Sequence, residues 1–263
     1  MGFFEAILLG LLQGLTEFLP VSSSGHLVIA QSMIKDFKEP GLLFDTILHL
    51  ATFCAVIIYF REKISLLLKA FFGLFLYKYR ITYYDNKRFL WAIFYASIPT
   101  AIIGLTIEKF SDTIFSSTVY AGYGLIITSV LLVISDNFNG NKAIDSVKGF
   151  WVGVMQGISV MPGISRSGST IALSVILGIK REEAVEFSFL MSLPAVFGAV
   201  LLQSRHITSI SEEAILHYIV AAFVAFITAF FAIHFMIKFI KKASLKYFAI
   251  YCLIVGIITV VWL

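Results

Sequence analysis

The sequence predicts an all-α polytopic membrane protein, with six transmembrane helices plus two re-entrant helix–loop–helix hairpins in an inverted-topology repeat. Of its 263 residues, 59% are hydrophobic and 14% are charged, and the mean hydropathy is +0.92. A soluble domain cannot bury that much apolar surface. Two apolar segments are also interrupted by polar residues, and the two halves of the chain resemble each other. We therefore treat residues 1–263 as one membrane domain.

The first interrupted segment covers residues 3–31, with polar residues from Glu17 to His26 at its centre. Each arm is shorter than the about 20 residues that cross a bilayer. Irregular backbone at membrane depth is tolerated only where protein buries it or where it lines a cavity. The segment therefore predicts a re-entrant hairpin, with Ser22–Ser24 capping its second arm. Gln13 and Glu17 are four residues apart and share a helix face.

The second interrupted segment covers residues 149–179, and Arg166 is its only charged side chain. A guanidinium in apolar surroundings normally faces a partner or a watery cavity. The residues around it form a loop whose N–H groups and hydroxyls could converge on an anion. The alternative is a polar turn from which Arg166 extends to the membrane interface. The small and polar residues of this loop are Gly163, Ser165, Ser167, Gly168, Ser169 and Thr170.

The remaining apolar runs predict the six spans. A basic loop follows the first span, and its short apolar part, residues 66–77, predicts an amphipathic helix on the membrane surface. Asp45 and His49 are four residues apart in the first span, so they could line a cavity or pair with each other. The predicted spans are residues 42–60, 89–107, 115–135, 184–203, 214–237 and 247–263.

The two halves of the chain match at two offsets. Residues 10–14 match 153–157 at an offset of 143, and residues 120–126 match 248–254 at an offset of 128. Each half has one hairpin and three spans. Because three is odd, the second half would insert upside down, as in many transporters. We predict repeats at about residues 1–136 and 147–263.

The basic residues predict the orientation. On this topology fifteen of the 20 Lys and Arg residues lie on one side, four lie on the other, and Arg166 lies between them. The positive-inside rule places the richer side in the cytoplasm. Both termini and the mouth of the first hairpin then face outward, and the two hairpin tips meet inside the membrane. Because the basic residues follow topology, a net charge of +4 predicts no nucleic-acid partner.

If the tips meet, their side chains suit phosphate chemistry. The Arg166 fork matches two phosphate oxygens. Glu17 and Gln13 offer oxygen ligands to a hard divalent cation such as Mg²⁺ or Ca²⁺, which substrate and water would have to complete. Ser23 could act as the nucleophile. His26 could deprotonate Ser23 or protonate the leaving group.

Residues 13–26, QGLTEFLPVSSSGH, and 162–170, PGISRSGST, resemble the two signature motifs of the undecaprenyl-diphosphate phosphatase family, the bacitracin-resistance (BacA) proteins. The similarity covers the whole chain in length, motif order and span pattern. It implies a metal-dependent enzyme of the bacterial inner membrane. Its substrate would be a polyprenyl diphosphate lipid, undecaprenyl diphosphate, and its product undecaprenyl phosphate, which serves as the lipid carrier for cell-wall synthesis.

The resemblance also implies roles for individual residues. Glu17, Ser23, His26 and Arg166 match the catalytic positions, with Ser23 as the proposed nucleophile and Arg166 as the phosphate-binding residue. Gln13 matches a position where the family accepts Glu or Gln, beside Glu17 at the metal. His26 or a metal-bound water remain alternative nucleophiles. The substrate-binding residues implied or inferred are Gln13, Ser22, Ser24, Gly163, Ser165, Ser167, Gly168 and Thr170.

A different function remains open from the sequence. Inverted repeats with broken helices are also typical of transporters, so the same scaffold could carry a phosphorylated polyprenyl lipid across the membrane. A homodimer is a further possibility that the sequence does not decide.

Overall fold

The computed structural model describes residues 2–34, 43–108, 117–203, 212–240 and 244–263, and these residues contain eleven α-helices and no β-strand. This confirms the predicted all-helical class. The helices are α1 Phe3–Phe18, α2 Ser23–Ser32, α3 Leu43–Tyr59, α4 Arg61–Phe72, α5 Arg80–Glu108, α6 Thr118–Asp136, α7 Ser146–Ile158, α8 Arg166–Ile176, α9 Arg181–Gln203, α10 Glu212–Ile240 and α11 Lys246–Trp262, and a 3₁₀ turn, Tyr77–Tyr79, precedes α5.

Four of these helices, α5, α6, α9 and α10, are long and apolar enough to cross a membrane. Helices α3 and α4 pass the same criterion together, but an 81° bend separates them. Helix α11 is apolar and shorter. Large side chains point outward from the bundle; for example, Phe223 is 66% exposed and Phe231 is 67% exposed. Lipid must cover such a surface, so the chain is a multi-pass membrane protein.

Two helices depart most from their predicted boundaries. The second span was predicted to begin at residue 89, but α5 begins at Arg80, because the polar residues before the apolar window continue the same helix into water. The surface helix was predicted at residues 66–77. It begins instead at Arg61, directly after the bend, and Gly73 follows its last residue.

Both interrupted segments break where the sequence predicts. Helix α1 ends before Pro20, because the residue that precedes a proline is biased towards extended backbone, and Leu19 has φ −72° and ψ 145°. Ser22 then takes the left-handed φ of 68° and caps α2, which confirms the predicted serine cap. In the second break, Gly163 supplies a φ of 83°, which favours glycine.

The first helix of each hairpin packs closely on a long helix of the other half. A Cβ added to Gly10 of α1 would lie 2.3 Å from the carbonyl oxygen of Ala221 in α10, and one added to Gly153 of α7 would lie 2.1 Å from that of Ala96 in α5. Thr100 of α5 also donates a hydrogen bond to the Gly153 carbonyl at 2.9 Å. Gly10 and Gly153 are equivalent at the offset of 143, so an equivalent glycine makes the close contact in each half. The inverted orientation of the halves and the repeat limits remain predictions.

This packing makes Gly153→Ala destabilising. The added methyl group would meet the Ala96 backbone, which cannot rotate away, and forced overpacking costs about 1–3 kcal/mol. Gly198→Ala in α9 is the control, because nothing lies within 4 Å of its added Cβ. Alanine also favours a helix over glycine by about 1 kcal/mol. Thermal unfolding in detergent should show a lower Tm for Gly153→Ala and an equal or higher Tm for Gly198→Ala. Equal shifts in both variants would contradict the packing argument.

Candidate active site

The two hairpin tips touch. Each tip is the turn between the two helices of a hairpin, residues 19–22 and 159–165, together with the first turn of the helix that follows. A Cβ added to Gly25 of α2 would lie 2.9 Å from the Cα of Gly163 in the second tip. The Ser167 hydroxyl of α8 donates a hydrogen bond to the Leu19 carbonyl in the first tip at 3.0 Å. The predicted meeting of the tips is therefore observed, and it brings together residues that are more than 130 positions apart in the chain.

The tips present two equivalent helix N-termini. Ser22 caps α2 by accepting a hydrogen bond from Gly25 N at 3.3 Å, and Ser165 caps α8 by accepting one from Gly168 N at 3.0 Å. Ser23 and Arg166 are therefore the first residues of their helices, again at the offset of 143. Helix N-termini favour negative charge through their free N–H groups and the helix dipole.

Glu17 lies at the centre of this cluster and is only 6% exposed. Its Oε1 accepts a short hydrogen bond from the Arg166 guanidinium. Its Oε2 accepts hydrogen bonds from Ser23 Oγ at 2.5 Å and from Gln13 Nε2 at 3.0 Å. A buried carboxylate is tolerable only when it is paired and hydrogen-bonded in this way. Four residues named from the sequence therefore form one contiguous group.

His49 of α3 joins this group, although the sequence indicated only that it could line a cavity or pair with Asp45. Its Nδ1 lies 3.0 Å from Gln13 Nε2 and 3.3 Å from Glu17 Oε2. With a proton on Nδ1 it donates to Glu17, and without one it accepts from Gln13. Asp45, one turn earlier on α3, accepts a hydrogen bond from Gln31 at 2.7 Å. A polar pair on one face of a predicted span was the available signal for His49.

His26 is turned towards a different helix. Its Nδ1 lies 2.7 Å from the Ser22 carbonyl oxygen, and its Nε2 lies 2.8 Å from the Tyr251 hydroxyl of α11. The acceptor for the Ser23 hydroxyl is Glu17 rather than His26. Tyr251 was not found by sequence analysis, because nothing distinguishes it from the other aromatic residues of apolar spans.

The other hydroxyls of the two motifs bond within the protein. Ser24 Oγ lies 3.4 Å from Ser22 Oγ, and Ser165 Oγ lies 3.3 Å from Ser167 Oγ. Thr170 Oγ1 donates to the Arg166 carbonyl at 2.7 Å and lies 2.6 Å from Ser188 Oγ in α9.

Two polar atoms of the cluster lack a partner in the described part of the chain. They are Arg166 Nη1 and Gln13 Oε1, and both are buried. A buried polar atom without a partner costs about 1–3 kcal/mol, so these are the positions where a bound ligand would gain most. A phosphate oxygen suits the guanidinium N–H.

The protein supplies only some of the ligand atoms that a divalent cation needs at this site. Within the described ranges no group of three or more His, Cys, Asp or Glu side chains could hold a metal ion. The free Gln13 Oε1 and the neighbouring Glu17 carboxylate are suitable oxygen donors for a hard cation. The residues therefore fit Mg²⁺ or Ca²⁺ only if phosphate oxygens and water supply the remaining ligands.

The chain matches known proteins over nearly its whole length. The family described as bacitracin resistance protein BacA matches residues 6–258. The undecaprenyl-diphosphatase of Syntrophotalea carbinolica is 41% identical over 260 residues, covering 97% of each chain. Those of Methanosphaera stadtmanae and Methanococcus vannielii are each 40% identical, covering 98% of this chain and 96% and 100% of the relatives. The match includes both hairpin tips, and the chain therefore belongs to the BacA family.

Proposed function

We propose that the protein hydrolyses undecaprenyl diphosphate to undecaprenyl phosphate and inorganic phosphate. The observation that carries this proposal is the buried group of Glu17, Ser23 and Arg166 at two converging helix N-termini. It combines a hydroxyl, a carboxylate that accepts its proton, and a guanidinium for the phosphate. The similar proteins named above are undecaprenyl-diphosphatases.

The membrane arrangement that suits this function has six spans and two re-entrant hairpins. Besides the four long helices, α3 and α11 have 17 residues each, which is about 26 Å of helix and close to the hydrocarbon thickness. The excess of basic residues on one side supports a cytoplasmic membrane location, with both termini and the mouth of the site facing outward. The substrate's polyprenyl tail would then lie among membrane lipids along the apolar faces.

Substrate binding would use the unsatisfied donor. Arg166 Nη1 can donate to an oxygen of the terminal phosphate while its other nitrogen keeps Glu17 in place. The free N–H groups at the starts of α2 and α8 add positive potential for the same anion. The site thus binds the diphosphate through the guanidinium and two helix ends.

The transfer step follows from the hydrogen bonds. Ser23 Oγ attacks the terminal phosphorus and gives its proton to Glu17 Oε2, and the bond between that phosphorus and the bridging oxygen breaks. Undecaprenyl phosphate leaves with the electron pair of that bond. Arg166 stabilises the charge on the transferred phosphoryl group. Water then attacks the phosphorus of the phosphoserine, and the bond between that phosphorus and Ser23 Oγ breaks. Ser23 Oγ takes back the proton held by Glu17, and inorganic phosphate is released.

A divalent cation held by Glu17 and Gln13 would supply further charge neutralisation on the diphosphate when bound. Two variants of the chemistry remain possible within the same site. In one, His26 is the nucleophile, which requires it to leave Tyr251. In the other, water attacks phosphorus directly and no protein-bound phosphate forms.

Ser23→Ala tests the nucleophile. We expect phosphate release by purified protein in detergent to fall at least about 10²-fold, the lower bound for losing a group that takes part in proton transfer. Ser32→Ala is the control, because Ser32 lies on the same helix and its exposed hydroxyl donates to the Ile29 carbonyl. Labelled substrate should leave phosphate on Ser23 in a quenched reaction. No protein-bound label with activity retained in Ser23→Ala would exclude the serine route.

The rival function is transport of the phosphorylated lipid, which the broken helices would also suit. Detergent-solubilised protein cannot transport anything, so phosphate release there identifies an enzyme. If the protein releases no phosphate with either Mg²⁺ or Ca²⁺, but moves labelled polyprenyl diphosphate across vesicle membranes, the transporter is the correct function.

A further inference from the structure

The histidine of the first tip has a fixed protonation pattern. Its Nδ1 lies 2.7 Å from the Ser22 carbonyl oxygen, which can only accept a hydrogen bond. The proton of the neutral ring therefore sits on Nδ1. Nε2 then carries the lone pair, and the Tyr251 hydroxyl, 2.8 Å away, must be its donor. The hydrogen bonds thus assign both nitrogens of His26.

Tyr251 also holds the ring in place. The Tyr251 and His26 rings are nearly parallel, with 4° between their planes and 5.6 Å between their centroids. The next residue, Cys252, directs its Sγ to the Pro20 carbonyl oxygen in the same tip at 3.6 Å. Two consecutive residues of α11 therefore contact the first tip at separate points.

The equivalent positions in the other half of the chain lack the contact between a tyrosine and a histidine. Helix α6 supports the second tip at the equivalent place: Gly124, which matches Cys252 at the offset of 128, packs against residues 162–164, and Thr128 Oγ1 donates to the Gly163 carbonyl at 3.0 Å. Tyr123 matches Tyr251, but it is 52% exposed, and the residue equivalent to His26 is Ser169, which bonds to its own helix. Only in the first tip does the tyrosine have a histidine to orient.

We propose that Tyr251 is a positioning residue for the active site. It holds His26 in the tautomer that is protonated on Nδ1, so that Nε2 is a hydrogen-bond acceptor. The inference rests on the proposed phosphatase function and adds a residue to it. It assigns the Ser23 proton to Glu17 alone in the first step. His26 Nε2 then accepts from the Tyr251 hydroxyl until the second step, in which it takes the proton of the water that attacks the phosphoserine.

Tyr251→Phe tests this inference, because it removes one oxygen and keeps the ring. We expect kcat for phosphate release to fall about tenfold, the upper range for loss of a neutral hydrogen bond, with KM within about twofold of the original. Tyr123→Phe is the matched control, since it makes the same change at the equivalent position, and its kcat should stay at the starting value.

A second measurement separates positioning from general destabilisation. Nitrogen NMR of the full-length protein labelled at its five histidines, with His26 assigned by loss of its signals in His26→Gln, reports which ring nitrogen carries the proton. The wild-type protein should show His26 protonated at Nδ1, and Tyr251→Phe should show a mixture of tautomers. Unchanged kcat or an unchanged His26 spectrum in Tyr251→Phe would overturn the inference. If the unchanged protein releases no phosphate at all, the proposed function fails, while the spectra still decide whether Tyr251 fixes the ring.

Discussion

Replacing Glu17 with glutamine is expected to lower kcat for phosphate release about 10³-fold, within the range for loss of a general base. Glu17 Oε2 is the acceptor for the Ser23 hydroxyl, and an amide cannot take up that proton. Glu5→Gln is the control on the same helix. Glu5 accepts a hydrogen bond from Gly2 N at the start of α1, and the side-chain carbonyl of glutamine can accept the same bond.

Glu17→Gln also leaves the largely buried guanidinium of Arg166 without its counter-charge. Breaking a buried ion pair from one side costs about 3–5 kcal/mol, so this variant could lose activity by unfolding. The double variant Glu17→Gln with Arg166→Gln removes both charges, and its Tm should return towards the original value while activity stays absent. If the double variant recovered activity together with stability, the role of Glu17 would be structural. The same conclusion would follow if a folded Glu17→Gln protein kept more than about one tenth of full activity.

Arg166→Lys is expected to lower kcat about 10²-fold, comparable with loss of one donor that stabilises the developing charge. Lysine keeps the positive charge and can still pair with Glu17, so the Tm should change little. It cannot donate to Glu17 and to a phosphate oxygen through one planar fork, which the free Nη1 of Arg166 permits.

Arg80→Lys controls for the same substitution at a distance from the tips, where the side chain packs near the Tyr77 and Tyr84 rings. Its kcat should be unchanged. Full activity in Arg166→Lys would show that charge alone, without the guanidinium geometry, is sufficient for phosphate binding.

Much of the candidate site could be predicted because its signals are local. A charged side chain is costly inside a membrane and therefore indicates a functional site. Two such side chains are visible in the sequence, a lone arginine in an apolar run and a glutamate beside a proline and a serine cluster. The spacing of Gln13 and Glu17 fixed their shared helix face, which the 3.0 Å hydrogen bond between them confirms. The sequence left two roles open for His26, taking the Ser23 proton or protonating the leaving group. In the structure the Ser23 hydroxyl donates to Glu17 and His26 Nε2 lies against Tyr251, because sequence proximity on α2 says nothing about which neighbour each side chain faces.

The sequence by itself determined where the helices break, that a serine caps the second arm of the first hairpin, and that one acid and one guanidinium belong to equivalent tips. These features follow from backbone geometry over a few residues and from the cost of charge in lipid. Only the tertiary structure decided that His49 joins Glu17 and that Tyr251 orients His26. The last pair is separated by 225 positions in the chain. In a membrane helix the lipid-facing and protein-facing sides are both apolar, so no hydrophobic pattern tells which face meets which neighbour. That choice depends on the close packing of the helices, including the glycine contacts between the two halves.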